Sequence, residues 1–188
     1  MKQNSLRTAA AVVAFSIAAF TAQAASPGYV DIGKFKATDG CQFVEVNVHA
    51  PLLKFASAFV GKDEPEVAEL IRAIKHVRVN VVGFNEKTRD ETTSRVEGVR
   101  HELSSQGWTE MVTVKEAEGT ENVAVFVKMA ENDSIEGLVV TVIDSGKKEV
   151  VFVNLVGNIN PEQLATLGKR LNIDPLAHLT VKLNRKSV

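Results

Sequence analysis

Residues 122–157 read NVAVFVKMAENDSIEGLVVTVIDSGKKEVVFVNLVG, and this stretch decides the fold. It holds three valine-rich runs, at 122–130, 135–144 and 149–157, joined by polar segments of four residues each. Valine favours β-strands, and connections this short are typical of antiparallel hairpins. Together with a similar run at 108–116, the stretch predicts an antiparallel meander of four strands.

Two further strands are predicted upstream of the meander. Residues 43–48 and 77–84 alternate apolar and polar side chains, as half-buried strands do. A pair of helices is expected between them, and the second helix should begin at Asp63. The carboxylate of Asp63 can cap that helix, and Glu66 three residues later would complete a capping box.

Two more helices are predicted later in the chain. Residues 86–106 are strongly charged and carry a narrow apolar stripe, which is typical of a helix on the protein surface. The last helix should begin after Asn160, with Asn160 as its cap and Gln163 reaching back in a capping box.

This order of elements does not match the alternating pattern of a parallel doubly wound sheet. It predicts an α+β two-layer domain, in which a largely antiparallel mixed sheet of about six strands is covered by helices on one face. We expect a signal peptide at 1–24, an irregular lead-in at 25–42, a single α+β domain at 43–171 and a C-terminal arm at 172–188.

The predicted sheet carries more apolar side chains than one layer of helices would cover. Opposite the valines that should meet the helices lie further large apolar residues, which we take as candidate ligand- or partner-binding residues: Phe126, Val139, Ile143, Phe152 and Val156. A second apolar face indicates a further cover within the chain, a partner subunit or an apolar ligand.

The first 24 residues are typical of a secretory signal peptide. Lys2 and Arg7 are followed by an apolar run at 9–22 and by the small-x-small sequence that ends at Ala24. We therefore expect a periplasmic or secreted protein, cleaved after Ala24 and without stable insertion in the membrane. An uncleaved anchor is the alternative, although the run is short and rich in alanine for a spanning helix.

Charge and cysteine content restrict the partners that can be expected. Cleavage would remove Lys2 and Arg7 from a chain of net charge −1 and leave about −3. This mild acidity, with a single Trp and a single Tyr, argues against a nucleic-acid partner. Cys41 has no second cysteine to pair with, so it is a buried side chain, a free thiol or an intermolecular bridge.

The residues that usually carry chemistry are scattered along the chain. His49, His76, His101 and His178 fall in separate predicted elements, without the close spacing of metal ligands. A nucleophile and base formed by Cys41 and His49 is conceivable. The sequence favours a module without cofactor or metal that binds a protein partner or a second copy of itself, rather than an enzyme. A small-molecule or lipid pocket between sheet and helices is the alternative.

Residues 149–164, EVVFVNLVGNINPEQL, together with the strands at 43–48 and 137–140, resemble a bacterial exported family catalogued as domain of unknown function 4252. The resemblance extends from about residue 43 to residue 171. It implies a small exported or lipid-anchored protein with no assigned activity, and it supplies no catalytic residues. This chain departs from the lipid-anchored members because it has no cysteine at the predicted cleavage point.

Export and cleavage can be tested on protein recovered from the cells that make it. We expect its intact mass to be that of a chain beginning at Ala25, because small residues at 22 and 24 are what signal peptidase accepts. Ala24→Arg should leave the precursor uncleaved, whereas Gln23→Ser, at the tolerant position between them, should not. Full-length protein outside the cytoplasm would contradict the prediction.

Overall fold

A computed structural model describes residues 26–61, 63–116, 119–160 and 162–163. The predicted signal peptide, the C-terminal arm and most of the last predicted helix lie outside these residues. In chain order, the described residues form β1 (Phe43–His49), α1 (Ala50–Val60), α2 (Pro65–Ala73), β2 (Ile74–Gly83), α3 (Arg89–Ser105), β3 (Thr109–Lys115), β4 (Glu121–Met129), β5 (Ile135–Asp144) and β6 (Glu149–Ile159).

The six strands form one sheet in the order β1-β2-β6-β5-β4-β3, and every neighbouring pair is antiparallel. The predicted α+β class, the six strands and the meander are confirmed. After β2 the chain passes through α3 to the far edge of the sheet, and the meander β3 to β6 then returns to pair with β2. The pairing of β6 with β2 thus joins the first two strands and the last four in one open sheet.

The start of α2 differs from the sequence prediction. Its N-cap is Glu64, which makes no side-chain capping bond, and Pro65 occupies the first turn. The predicted capping box of Asp63 and Glu66 is therefore wrong. Proline favours the first turn because its fixed φ angle suits a helix and its missing N–H would have no partner there, so Pro65 sets the start.

The predicted capping box at the last helix is confirmed within the described residues. Asn160 Oδ1 accepts a hydrogen bond from the N–H of Glu162 at 2.9 Å. Gln163 Oε1 accepts one from the N–H of Asn160 at 3.1 Å. Both bonds satisfy backbone donors that a helix start leaves without an intrahelical partner.

One face of the sheet is covered by α3 and the lead-in, and we call it the α3 face. Leu103 of α3 and Ile32 of the lead-in pack in one buried cluster with Phe126 and Phe152 of the sheet. The described residues of the lead-in form no strand, and a side chain holds them on the sheet. Asn154 on β6 donates to the carbonyl of Gly28 at 3.0 Å and accepts from the N–H of Val30 at 3.1 Å.

Two glycines allow the lead-in to approach the sheet closely. A Cβ atom at Gly137 of β5 would lie 2.6 Å from the Cα of Gly28 and 2.5 Å from the Trp108 ring. A Cβ at Gly28 would lie 1.8 Å from the carbonyl oxygen of Glu136. All three distances are too short for real atoms, so the contact requires glycine on each side.

Replacing Gly137 by alanine should therefore destabilise the fold by ~1–3 kcal/mol, the usual cost of overpacking. Gly98 in the middle of α3 is the matched control, because a Cβ there meets nothing within 4 Å. Gly98→Ala should stabilise the protein by ~1 kcal/mol through better helix propensity. Urea unfolding of both variants tests the pair, and a Gly137→Ala variant as stable as the wild type would contradict the close contact.

Candidate functional site

The face of the sheet opposite α3 consists of rows of aliphatic side chains. Strand pairing aligns a first row across all six strands: Val44, Val81, Val151, Val142, Val123 and Val114. A second row runs beside it: Val46, Val79, Val153, Val140, Val125 and Val112. A third row crosses five strands: Val48, Val77, Leu155, Leu138 and Val127. We call these three rows the valine face.

Among the described residues, helices cover the valine face at one end. Leu53 of α1 and Leu70 of α2 pack in a cluster with third-row residues, including Leu138 and Val127, which are fully buried. The same cluster extends into the first two rows through Val112, Val123, Val125 and Val140. In the first two rows Val125 is buried, and the central valines are only half-buried. At the edge strands Val44, Val46 and Val114 are 36%, 40% and 41% exposed.

Helix α1 carries an exposed apolar stripe on the same side of the sheet as the valine face. Leu52, Phe55 and Phe59 are 58%, 63% and 67% exposed. The rings of Phe55 and Phe59 meet edge to face with their centroids 4.9 Å apart. Since Leu53 of the same helix packs against the valine face, α1 and its stripe lie on that side of the sheet. Exposed groups of large apolar side chains such as this stripe are typical of an interaction surface.

The structure places the five candidate residues from the sequence on the α3 face and buries them all: Phe126, Val139, Ile143, Phe152 and Val156. Four of them lie in the two clusters beneath α3 and the lead-in, which include Val96, Leu103 and Phe35. The exposed valines of the sheet lie instead on the valine face, at its two edge strands. The sequence places the valines on the side that meets the helices, and α1 and α2 do pack on part of that side, whereas α3 covers the other.

Arg100 explains how such a polar helix covers the sheet. Its Nε donates to Thr141 Oγ1 at 2.8 Å, and its Nη1 donates to Asn122 Oδ1 at 3.0 Å and to Glu97 at 3.1 Å. Its Nη2 donates to the carbonyls of Asn122 and Thr141. Burial lowers the pKa of the Arg100 guanidinium. All five N–H donors are used within the fold, so Arg100 joins α3 to the sheet.

A second buried arginine, Arg78, lies under the lead-in. Arg78 Nη2 donates to the carbonyl of Gly33 at 3.0 Å, and the carboxylates of Asp31 and Glu45 lie 3.9 Å and 3.6 Å from the guanidinium. Neighbouring Asn80 is 1% exposed, and its amide has no hydrogen-bond partner among the described residues. These polar contacts hold the lead-in over β1 and β2.

Two histidines stack across β1 and β2. His49 and His76 face each other in the strand register, with ring centroids 4.4 Å apart and planes 10° from parallel. The ring of Tyr29 stacks on His76 at 5.5 Å, and His76 Nε2 lies 2.5 Å from Asn47 Oδ1. Burial, followed by the proximity of His49 and Arg78, lowers the pKa of His76.

The described residues offer little for catalysis or metal binding. Cys41 lies two residues before β1 and His49 is its last residue, so the seven-residue strand separates them by roughly 20 Å. They therefore cannot act as a nucleophile and base. No group of three His, Cys, Asp or Glu side chains in the described part of the chain could hold a metal ion.

Two surface cavities border α3 and are lined mostly by polar and charged side chains. One, of about 430 Å³, lies between the lead-in and the start of α3, and its lining includes Lys34, Glu91 and Arg95. The other, of about 360 Å³, lies between α3 and β3, and its lining includes Glu97 and Glu110. Neither cavity has the apolar lining of a lipid pocket.

A family model matches residues 36–167, which include the whole sheet. Its description is Domain of unknown function (DUF4252). The chain belongs to this family. The match confirms the resemblance seen in the sequence, and no curated protein and no solved structure matches this DUF4252 domain significantly. Within the described residues, no helix has both the length and the apolar character to cross a bilayer.

Acidification should destabilise the DUF4252 domain through His76. Its folded pKa lies below the ordinary value, so the unfolded chain binds the proton first as the pH falls. Stability that is fully present above about pH 6.5 is then lost as the pH falls through the folded pKa.

His76→Gln should therefore flatten the pH dependence of the free energy of unfolding between about pH 7 and pH 5. His49→Gln is the companion variant, because it removes one of the neighbours that disfavour protonation of His76, and it should flatten the dependence less. Equal pH dependence in the wild type and in His76→Gln would contradict this role of the stacked pair.

Proposed function

We propose that this protein is an exported, non-catalytic module that binds another protein surface through the valine face. The observation that carries the proposal is the extent of the first two rows, which reach both edge strands and contain no polar side chain. Monomeric soluble proteins rarely leave a continuous apolar surface of this kind in water, and such surfaces usually mark interaction sites.

The use of the polar side chains supports binding rather than catalysis. The guanidinium of Arg100 donates hydrogen bonds to Thr141, Asn122 and Glu97, and the side-chain amide of Asn154 bonds to the backbone of the lead-in. A catalytic group would need a polar atom aimed at a substrate in a cleft. These groups instead rigidify the α3 face, which supports the valine face from behind.

A lipid or small-molecule pocket between sheet and helices is the weaker candidate. The space beneath α3 is filled by Leu103, Phe126 and Phe152, each at most 2% exposed. The cavities beside α3 are polar, whereas lipid sites are lined by apolar side chains. No observation on the described residues favours this alternative over protein contact.

Photo-cross-linking in the cells that make the protein tests the proposal. A photoactivatable phenylalanine analogue at Val46 or Val114 should form adducts with a polypeptide, because both positions are exposed edges of the valine face. Thr113 is the matched control, since it is the exposed neighbour of Val114 on β3 and points to the opposite face.

We expect adducts of defined mass from Val46 and Val114 and none from Thr113. Adducts from Thr113 alone would place the contact on the α3 side and contradict the proposal. The absence of adducts from all three positions would also contradict it.

A further inference from the structure

We propose that Gly28, Tyr29 and Val30 form a strap that detaches from the sheet when the histidines beneath it are protonated. The observation behind the proposal is a stack of three rings, in which Tyr29 of the lead-in lies on His76 and His76 lies on His49. The strap belongs to the α3 face, so the proposal does not depend on what binds the valine face.

The strap is attached to the sheet by side chains and not by a strand ladder. The side-chain amide of Asn154 donates to the carbonyl of Gly28 at 3.0 Å and accepts from the N–H of Val30 at 3.1 Å. Tyr29 lies between these two bonds, and its own N–H bonds locally within the lead-in. An amide side chain does not titrate, so the ring contact with His76 is the attachment that can respond to pH.

The residues that follow the strap are anchored separately. Arg95 donates to the carbonyl of Ile32 at 2.8 Å, and Arg78 donates to the carbonyl of Gly33 at 3.0 Å. Ile32 is also 3% exposed within the apolar cluster beneath α3. Guanidinium groups stay charged in proteins, so these anchors do not respond to acid. Detachment therefore ends at Asp31, and the rest of the lead-in stays in place.

The surroundings of His76 provide no carboxylate that could pair with it. The titratable and charged groups on this face come from β1, from β2 and from the lead-in, whereas β6 presents uncharged Asn154 and Val156: His49, Glu45, Arg78, Tyr29 and Asp31. Both carboxylates lie within 4 Å of the Arg78 guanidinium, at 3.6 Å and 3.9 Å. Within the described residues neither imidazole forms an ion pair. A proton on either ring thus adds a cation close to Arg78.

Protonation acts on the strap because the two histidines cannot move apart. His49 and His76 are paired in the ladder of β1 and β2, which fixes their backbones. Charges on two rings only 4.4 Å apart repel each other, and a charged imidazole is more stable in contact with water. Departure of Tyr29 gives one side of His76 to water. The face of the Tyr29 ring attracts a cation, but its centroid is 5.5 Å away, farther than the repelling ring of His49.

The direction of the pH dependence follows from His76. Burial, followed by the proximity of His49 and Arg78, holds the pKa of His76 below its ordinary value while the strap is docked. After the strap has left, the ring is exposed and its pKa returns towards that value. The detached form therefore binds the proton first as the pH falls. The strap is docked above about pH 6.5 and detaches as the pH falls below it.

The single tyrosine of the chain reports on the strap directly. Biosynthetic incorporation of fluorotyrosine gives the chain from Ala25 to Val188 one fluorine resonance, that of Tyr29. A soluble gadolinium chelate relaxes this resonance more strongly when the ring is exposed. We expect the relaxation enhancement to rise several-fold between about pH 7 and pH 5, towards the value measured in urea, while the far-UV circular dichroism stays that of the folded sheet.

Variants at the histidines separate protonation of the stack from other effects of acid. His76→Phe keeps an aromatic ring under Tyr29 but takes no proton, so its relaxation enhancement should stay low at both pH values. His49→Gln removes one neighbouring charge, so its transition should move to lower pH. His101→Gln on α3 is the control, because His101 lies outside the stack, and it should titrate as the wild type does.

Equal relaxation enhancement of the wild-type resonance at both pH values would overturn the proposal. An equal rise in the wild type and in His76→Phe would also overturn it, because the strap would then respond to a group other than the histidine. A rise that accompanies loss of the far-UV signal would mean global unfolding in place of local detachment, and it would overturn the proposal too.

Discussion

The two-residue period of pleated strands, held in register across six antiparallel strands, is the constraint on which the rest of the structure depends. Because Val81 pairs with Val44 on one side and Val151 on the other, each strand adds its valines to the same rows. A slip of one residue in any strand would send its valines to the opposite face. The same register therefore determines both the buried core and the exposed apolar surface.

The two faces of the sheet are stabilised in different ways. The α3 face combines phenylalanines with buried polar groups, and Arg100 and Asn154 tie α3 and the lead-in to specific strands. Directional bonds of this kind specify one arrangement, and leaving them unmade in the interior is costly. The valine face has no such groups, so it can contribute only shape and apolar area to a contact.

The strands and their order along the chain could be predicted because alternation and turn residues are local signals. The strand at 135–144 is observed with the predicted bounds, Ile135–Asp144. The face assignment could not be predicted, since both faces are apolar and the deciding contacts are remote in sequence. Arg100 bonds to Thr141, which lies 41 residues later in the sequence, and no local sequence pattern predicts that bond. The valine face was visible in the sequence as one parity of side chains, but its exposure was not.

The hydrogen bonds between the lead-in and Asn154 determine when the lead-in can dock on the sheet during folding. Gly28 and Val30 come near the beginning of the chain, and their partner lies 126 and 124 residues later on the final strand. During synthesis the lead-in has no docking site until β6 has emerged, and β2 likewise waits for β6 to complete the sheet. Contacts this distant in sequence make closure late and slow. The first two strands and the lead-in therefore join the rest of the sheet only after β6, the last strand among the described residues, has been synthesised.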